Sequence, residues 1–135
     1  METKLDITAL KKSHIAFFNA LQARSKLEQE FYDVYRAAII QNFEFSFELA
    51  WKFMRRWLEN EDKAEIEAAL TKKDIFRLAH KFELIDDAGK WFIYLSARNK
   101  TSHTYDEGVA EEVFIVANEF FVCFGNFINQ LEKRI

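Results

Sequence analysis

A chain of 135 residues, half of them apolar and 30% charged, is long enough for one packed core and too short for two. Its formal charge of -3 excludes a general electrostatic attraction to nucleic acid, so any such contact is expected to be local or to depend on a partner. Fifteen Phe against three Gly and no Pro argue against a sheet protein, whose turns draw on Gly and Pro, and predict one all-α domain over residues 1–135.

From Leu5 to about Arg24, Ile7, Leu10, Phe17 and Leu21 recur at helical spacing, with Lys11, Lys12, Gln22 and Arg24 off that face. Asp6 or Thr8 is the expected cap. His14 falls on or beside the apolar stripe, where a core or boundary histidine is the better expectation than a ligand.

Residues 31 to about 60 hold the longest uninterrupted segment. Its middle alternates with period two, as a strand would, but Ile39, Phe43, Phe47, Ala50, Met54 and Trp57 keep helical spacing for five turns. One long helix is predicted. Phe45, Leu49 and Phe53 form a second stripe away from the first. A helix apolar on several sides must be covered on several sides, and a small bundle is expected to cover one, so this stripe predicts a homodimer interface. Glu44 and Glu48 lie a turn apart, with Lys52 a turn further. They form either a surface ladder, Glu48 to Lys52 being the favourable direction, or an inward partner for a buried Arg.

Residues 61–71 are polar and read as a connection that is helical only in part. A short helix is predicted from Asp74 to about Phe82, with Ile75, Leu78 and Phe82 as its apolar side. Asp86 or Asp87 caps the next helix, Ala88 to about Arg98. There Trp91, Leu95 and Arg98 share a face, so Arg98 extends the core-facing stripe and needs an anion, either a carboxylate such as Glu48 or a substrate phosphate. Thr104 with Glu107 makes a capping-box pattern for the last helix, with Asp106 as the alternative cap. Val113, Val116, Phe120, Phe124, Phe127 and Leu131 form its main stripe, and Phe114, Phe121 and Ile128 a second.

The chemistry-bearing stretch is Arg98-Asn99-Lys100-Thr101-Ser102-His103-Thr104-Tyr105. It joins a planar fork of donors for phosphoryl oxygens, an imidazole that exchanges a proton near neutrality and a phenol, just before a helix N-terminus that favours anions. His14, His80 and His103 are scattered and make no zinc site, and no phosphate loop or nucleophile elbow is visible. No cofactor or metal is expected. Cys123 has no partner for a disulfide and sits in an apolar segment as core filling. With no apolar run of membrane length, a cytoplasmic chain without membrane contact is expected.

The fold these segments predict is an antiparallel up-and-down four-helix bundle with an extra short helix. The motif Arg98-Asn99-x3-His103-x-Tyr105 resembles the signature of the HEPN superfamily. Together with Phe43-Glu44-x2-Phe47-Glu48-x2-Trp51-Lys52, it is similar to the nucleotidyltransferase substrate-binding protein family over nearly the whole chain. That family commonly carries Gly and Pro before the short helix and a Gly opening the Leu84-Ile85-Asp86 step, where this chain has Phe82-Glu83.

The resemblance implies a separately encoded minimal nucleotidyltransferase as partner. In one function it implies, the chain is a non-catalytic subunit that binds nucleotide or substrate at the Arg98 to Tyr105 turn. In the alternative it is a metal-independent ribonuclease, the toxin of a toxin-antitoxin pair, silenced by attachment of a nucleotide to Tyr105. Arg98 and His103 are then the catalytic pair, and Asn99, Glu44, Glu48 and Lys52 supply binding or support.

Overall fold

The computed structural model describes residues 5–26, 31–61, 64–69 and 71–135. Among the described residues five α-helices follow one another: α1 Thr8–Gln22, α2 Tyr32–Asn60, α3 Lys72–Lys81, α4 Ala88–Asn99 and α5 Glu107–Glu132. Short 3-10 turns lie at Ala23–Lys26, Ala64–Ala68 and Thr101–His103. Residues 62, 63 and 70 of the predicted connection lie outside the described residues. No described helix is long and apolar enough to cross a membrane.

The pairings fix the topology. Ser13 meets Ser46 and Tyr35 meets Leu21, so α1 and α2 run antiparallel. Trp91 meets Phe127 and Lys100 meets Glu112, which makes α4 and α5 antiparallel. Lys11 pairs with Glu132 while Phe18 packs on Phe121, so α1 and α5 are antiparallel too. The result is the expected up-and-down bundle of α1, α2, α4 and α5, with α3 as the extra helix. Phe76 docks α3 by packing against Phe47, Trp91 and Phe92.

The core is aromatic and has a hub. Phe120 of α5 is fully buried and touches rings from three other helices: Phe17 of α1, Phe43 and Phe47 of α2, and Trp91 and Tyr94 of α4. Edge-on and stacked pairs of this kind add about 1 kcal/mol each beyond the area they bury.

The second stripe of α2 is not the free surface the sequence suggested. α2 touches each of the other four helices; Phe53 is buried, Leu49 is half-buried, and Phe45 alone stays exposed, at 63%. The second stripe of α5 is covered as well. Phe121 lies under His14, Phe17 and Phe18, and Phe114 under Tyr32 and Tyr35. An apolar helix at the centre of a five-helix chain is wrapped by its own neighbours.

One end of α3 differs from expectation and the other falls where it was expected, near Phe82. α3 starts at Lys72, two residues early, because the Thr71 hydroxyl accepts the Asp74 N–H while the Asp74 carboxylate accepts the Thr71 N–H. The same helix stops at Glu83, whose φ is 65°. There the Glu83 N–H donates to His80 O and the Leu84 N–H to Ala79 O, a Schellman closure that normally recruits Gly.

Candidate functional site

The end of α4 is tied down by short bonds. The Thr101 hydroxyl donates to Arg98 O at 2.8 Å, occupying a carbonyl that the helix terminus leaves without an intrahelical partner. The His103 N–H then donates to Lys100 O and the Asp106 N–H to His103 O, winding residues 101–106 into a tight turn. α5 starts on the Asp106 carboxylate, which accepts the Val109 N–H at 3.0 Å. The Thr104 and Glu107 capping box does not form. Thr104 donates to Thr101 O, and Glu107 is claimed by a guanidinium, a charged bond stronger than one to a backbone amide.

Arg98 reaches from this turn to α2. Its side chain is 30% exposed and lies between Glu48, 3.4 Å from Nε, and Glu44, 3.8 Å from NH1. Neither carboxylate is aligned for a hydrogen bond to Nε; the directed bond is from NH1 to the Thr101 hydroxyl at 2.9 Å. Glu44 and Glu48 thus both face Arg98, as the inward reading had it, but around a half-buried guanidinium and not a buried one, and the ladder to Lys52 does not form. Glu48 Oε2 accepts from the Trp51 indole at 3.1 Å, and Oε1 also faces Lys72 at 4.0 Å. Lys52 lies over the Trp51 ring instead, 5.8 Å from its centroid, outside the Arg98 cluster.

The other motif residues face solvent. His103, Asn99 and Tyr105 are exposed, Tyr105 at 84%, and the His103 and Tyr105 rings stand edge to face at 6.0 Å. One turn thus presents a held cation, a solvent-facing imidazole and a solvent-facing phenol. His14 is elsewhere, stacked on Phe121 at 4.9 Å, where burial holds its pKa below the ordinary value. His80 is exposed on α3. Cys123 is half-buried and accepts the Tyr94 hydroxyl at 3.0 Å. The burial of Tyr94 itself, with the sulfur beside it, pushes its phenol up.

A second charged cluster was missed in the sequence. Arg36 of α2 is 7% exposed and donates to Glu107 at 2.9 Å and Glu111 at 3.3 Å, with Asp33 at 3.6 Å. The Tyr32 hydroxyl donates to both oxygens of Glu111. These bonds pin the first turn of α5, and hence the turn before it, to α2. The signal was present: Arg36 stands i, i+3, i+4 and i+7 from Ile39, Ile40 and Phe43, on the buried stripe, which is the argument that singled out Arg98. Beside Arg36 lies a groove of about 200 Å³ lined by Asp33, Arg36, Ala37, Ile40, Glu44, Thr104 and Ala110.

Comparison with known proteins bears on the family and the fold. A family model described as nucleotidyltransferase substrate binding protein like matches residues 5–133. A Haemophilus influenzae protein named probable ribonuclease HepT is 39% identical over 103 residues, which cover 76% of this chain and 70% of that protein. A solved Haemophilus influenzae structure, described as the fold of a substrate binding domain of a nucleotidyltransferase, matches with a TM-score of 0.84 at 30% identity. The match covers 94% of this chain and 99% of that one.

Proposed function

The chain belongs to the nucleotidyltransferase substrate-binding protein family, and from that premise we propose that it is the small partner of a separately encoded minimal nucleotidyltransferase whose own chemistry is RNA cleavage at the Arg98 to Tyr105 turn. The observation that carries this reading is the division of labour in the turn. Arg98 is held by Glu44, Glu48 and Thr101, while His103 is exposed where a substrate reaches it.

In the proposed step His103 removes the proton of a ribose 2′-hydroxyl. The 2′-oxygen bonds to the adjacent phosphorus, the bond from phosphorus to the 5′-oxygen breaks, and that oxygen leaves as a hydroxyl after taking up a proton. The products are a 2′,3′-cyclic phosphate and a 5′-hydroxyl end. Arg98 directs its remaining N–H groups at the non-bridging oxygens, where negative charge concentrates at the five-coordinate phosphorus. Glu44 and Glu48 act through Arg98 as positioning residues, and the exposed Asn99 amide meets the flanking nucleotide.

Tyr105 is the proposed site of control. A nucleotide on its hydroxyl adds a phosphodiester charge beside His103 and Arg98 and fills the approach to both. Two chains pairing through the motif end would place two such turns in one cleft. Substitution of either Arg98→Ala or His103→Ala is expected to lower RNA cleavage by at least about a hundred-fold, the usual contribution of a general base or a charge-stabilising donor. Unchanged cleavage in either variant rejects the assignment.

The description of the structural relative favours a second reading, a subunit that binds nucleotide for its partner without reacting. Glu44 and Glu48 beside Arg98 fit it, because they temper the pull of the guanidinium on a phosphate. It predicts saturable nucleotide binding that Arg98→Ala abolishes, with no cleavage of RNA.

A further inference from the structure

The net charge of -3 conceals a local excess of the opposite sign. α3 carries Lys72, Lys73, Arg77 and Lys81 against a single Asp74, and this is the helix laid across α2 and α4 next to Arg98. Lys73, Arg77 and Lys81 are spaced i, i+4 and i+8, one cation per turn on one face, about 6 Å apart along the axis.

These cations are arranged around aromatic faces. Phe92 of α4, half-buried, has Lys73 at 5.5 Å and Arg77 at 5.2 Å from its centroid. Trp51 of α2, also half-buried, has Lys72 at 5.1 Å and Lys52 at 5.8 Å. Arg77 is balanced by Asp74, Lys81 is paired with Glu65 at 2.7 Å, and Lys72 faces Glu48. Among the described residues Lys52 and Lys73 have no carboxylate partner.

Both rings lead to the proposed site. The Trp51 indole donates to Glu48, which faces Arg98. Phe92, Ser96 and Asn99 stand at i, i+4 and i+7 on one face of α4, a path of about 10 Å, and Ser96 and Asn99 are exposed.

We propose that Trp51, Phe92 and the cations of α2 and α3 around them form a docking track for single-stranded RNA, which delivers the strand along α4 to the Arg98 to Tyr105 turn. Single-stranded nucleic acid needs what is assembled here: a row of cations for the phosphates and flat rings on which bases stack whatever their sequence. A Lys or Arg above a ring gives up that face to a base and moves to the neighbouring phosphate, keeping its charge in use. An acidic protein surface would use the cations but not the rings. The inference takes its substrate class from the ribonuclease reading and extends the site away from the motif.

The test measures binding of a fluorescent single-stranded RNA of about 12 nucleotides to the full chain carrying His103→Ala, by anisotropy across a salt series. Adding Lys73→Gln with Arg77→Gln is expected to weaken binding roughly ten-fold and to lower the slope of log affinity against log salt by about 1.4, at about 0.7 per lost phosphate contact. Phe92→Leu is expected to weaken binding by a similar factor at an unchanged slope, since it removes stacking and no charge. Unaltered affinity and slope in the charge variant overturn the track, as does an acidic peptide of matched charge that competes as well as RNA does.

Cleavage is followed in parallel with His103 intact. Normal cleavage by the Lys73→Gln, Arg77→Gln chain overturns the track and leaves the ribonuclease reading standing. Salt-sensitive binding through the track by a chain that does not cleave upholds the track and removes the ribonuclease reading.

Discussion

Arg98 and His14 show how one rule sorts polar residues on an apolar stripe. A charge there needs a partner, and Arg98 finds two carboxylates and a hydroxyl. A neutral imidazole needs only an accommodating ring, and His14 finds Phe121. Burial lowers the pKa of His14, so the unfolded chain takes up a proton at the ordinary imidazole value while the folded chain resists. Unfolding therefore binds a proton in that interval. The His14 contribution to stability is complete above the ordinary pKa and is lost as pH falls toward the lowered one. Between about pH 7.5 and about pH 5.5 the melting temperature is expected to fall, and His14→Phe, which keeps the stack, is expected to flatten that fall. An undiminished slope in the variant rules out His14 as its source. Asp6, lowered by bonds from Thr8, acts only in a more acidic range, below 3.8. Arg98 was legible because its stripe ends in a polar motif that drew attention. Arg36 obeys the same spacing inside a long helix with no motif beside it, and its acids Glu107 and Glu111 lie more than seventy positions away.

At the scale of elements, periodicity identified every α-helix among the described residues, and it misjudged what surrounds them. The stripes of α2 count how many sides are apolar, not how many neighbours the same chain supplies; with four helices against it, α2 has little stripe left over for another subunit. Ends depend on single hydrogen bonds, so Thr71 and Asp106 took the capping roles that spacing had left unassigned or secondary. Glu83 makes the same point in reverse. Glu83 takes a left-handed backbone, at φ 65°, where Gly is at ease and another side chain costs about 1 to 2 kcal/mol. Glu83→Gly is expected to stabilise the fold by about 0.5 to 1 kcal/mol, the relief of strain being offset in part by the freer unfolded chain. Chemical denaturation of the two proteins measures it, and a Gly variant less stable than the parent would contradict the Schellman assignment. The aromatic hub is tested by Phe120→Ala, expected to cost about 3 to 5 kcal/mol because rings from three helices then face a cavity.

Over the whole molecule, composition and periodicity carried the class of fold, and the two motifs around Glu44 and Arg98 carried the family, while the distribution of charge stayed hidden. A total of -3 concealed a basic helix set beside the motif, because pairing across α2, α3 and α4 is a property of the packed chain. In the proposed arrangement a cationic and aromatic face leads to a turn where Arg98 is held by Glu44, Glu48 and Thr101 and His103 is exposed. The pairing of two chains proposed above predicts a sedimentation mass of twice 16.1 kDa; a monomer at assay concentrations would confine the chemistry to one turn. The most direct test of the central claim is the chemistry of the ends left on RNA after incubation with the purified chain. The proposed chemistry leaves fragments with 2′,3′-cyclic phosphate and 5′-hydroxyl termini, absent with His103→Ala. Intact RNA, or fragments with 5′-phosphate termini, would contradict it.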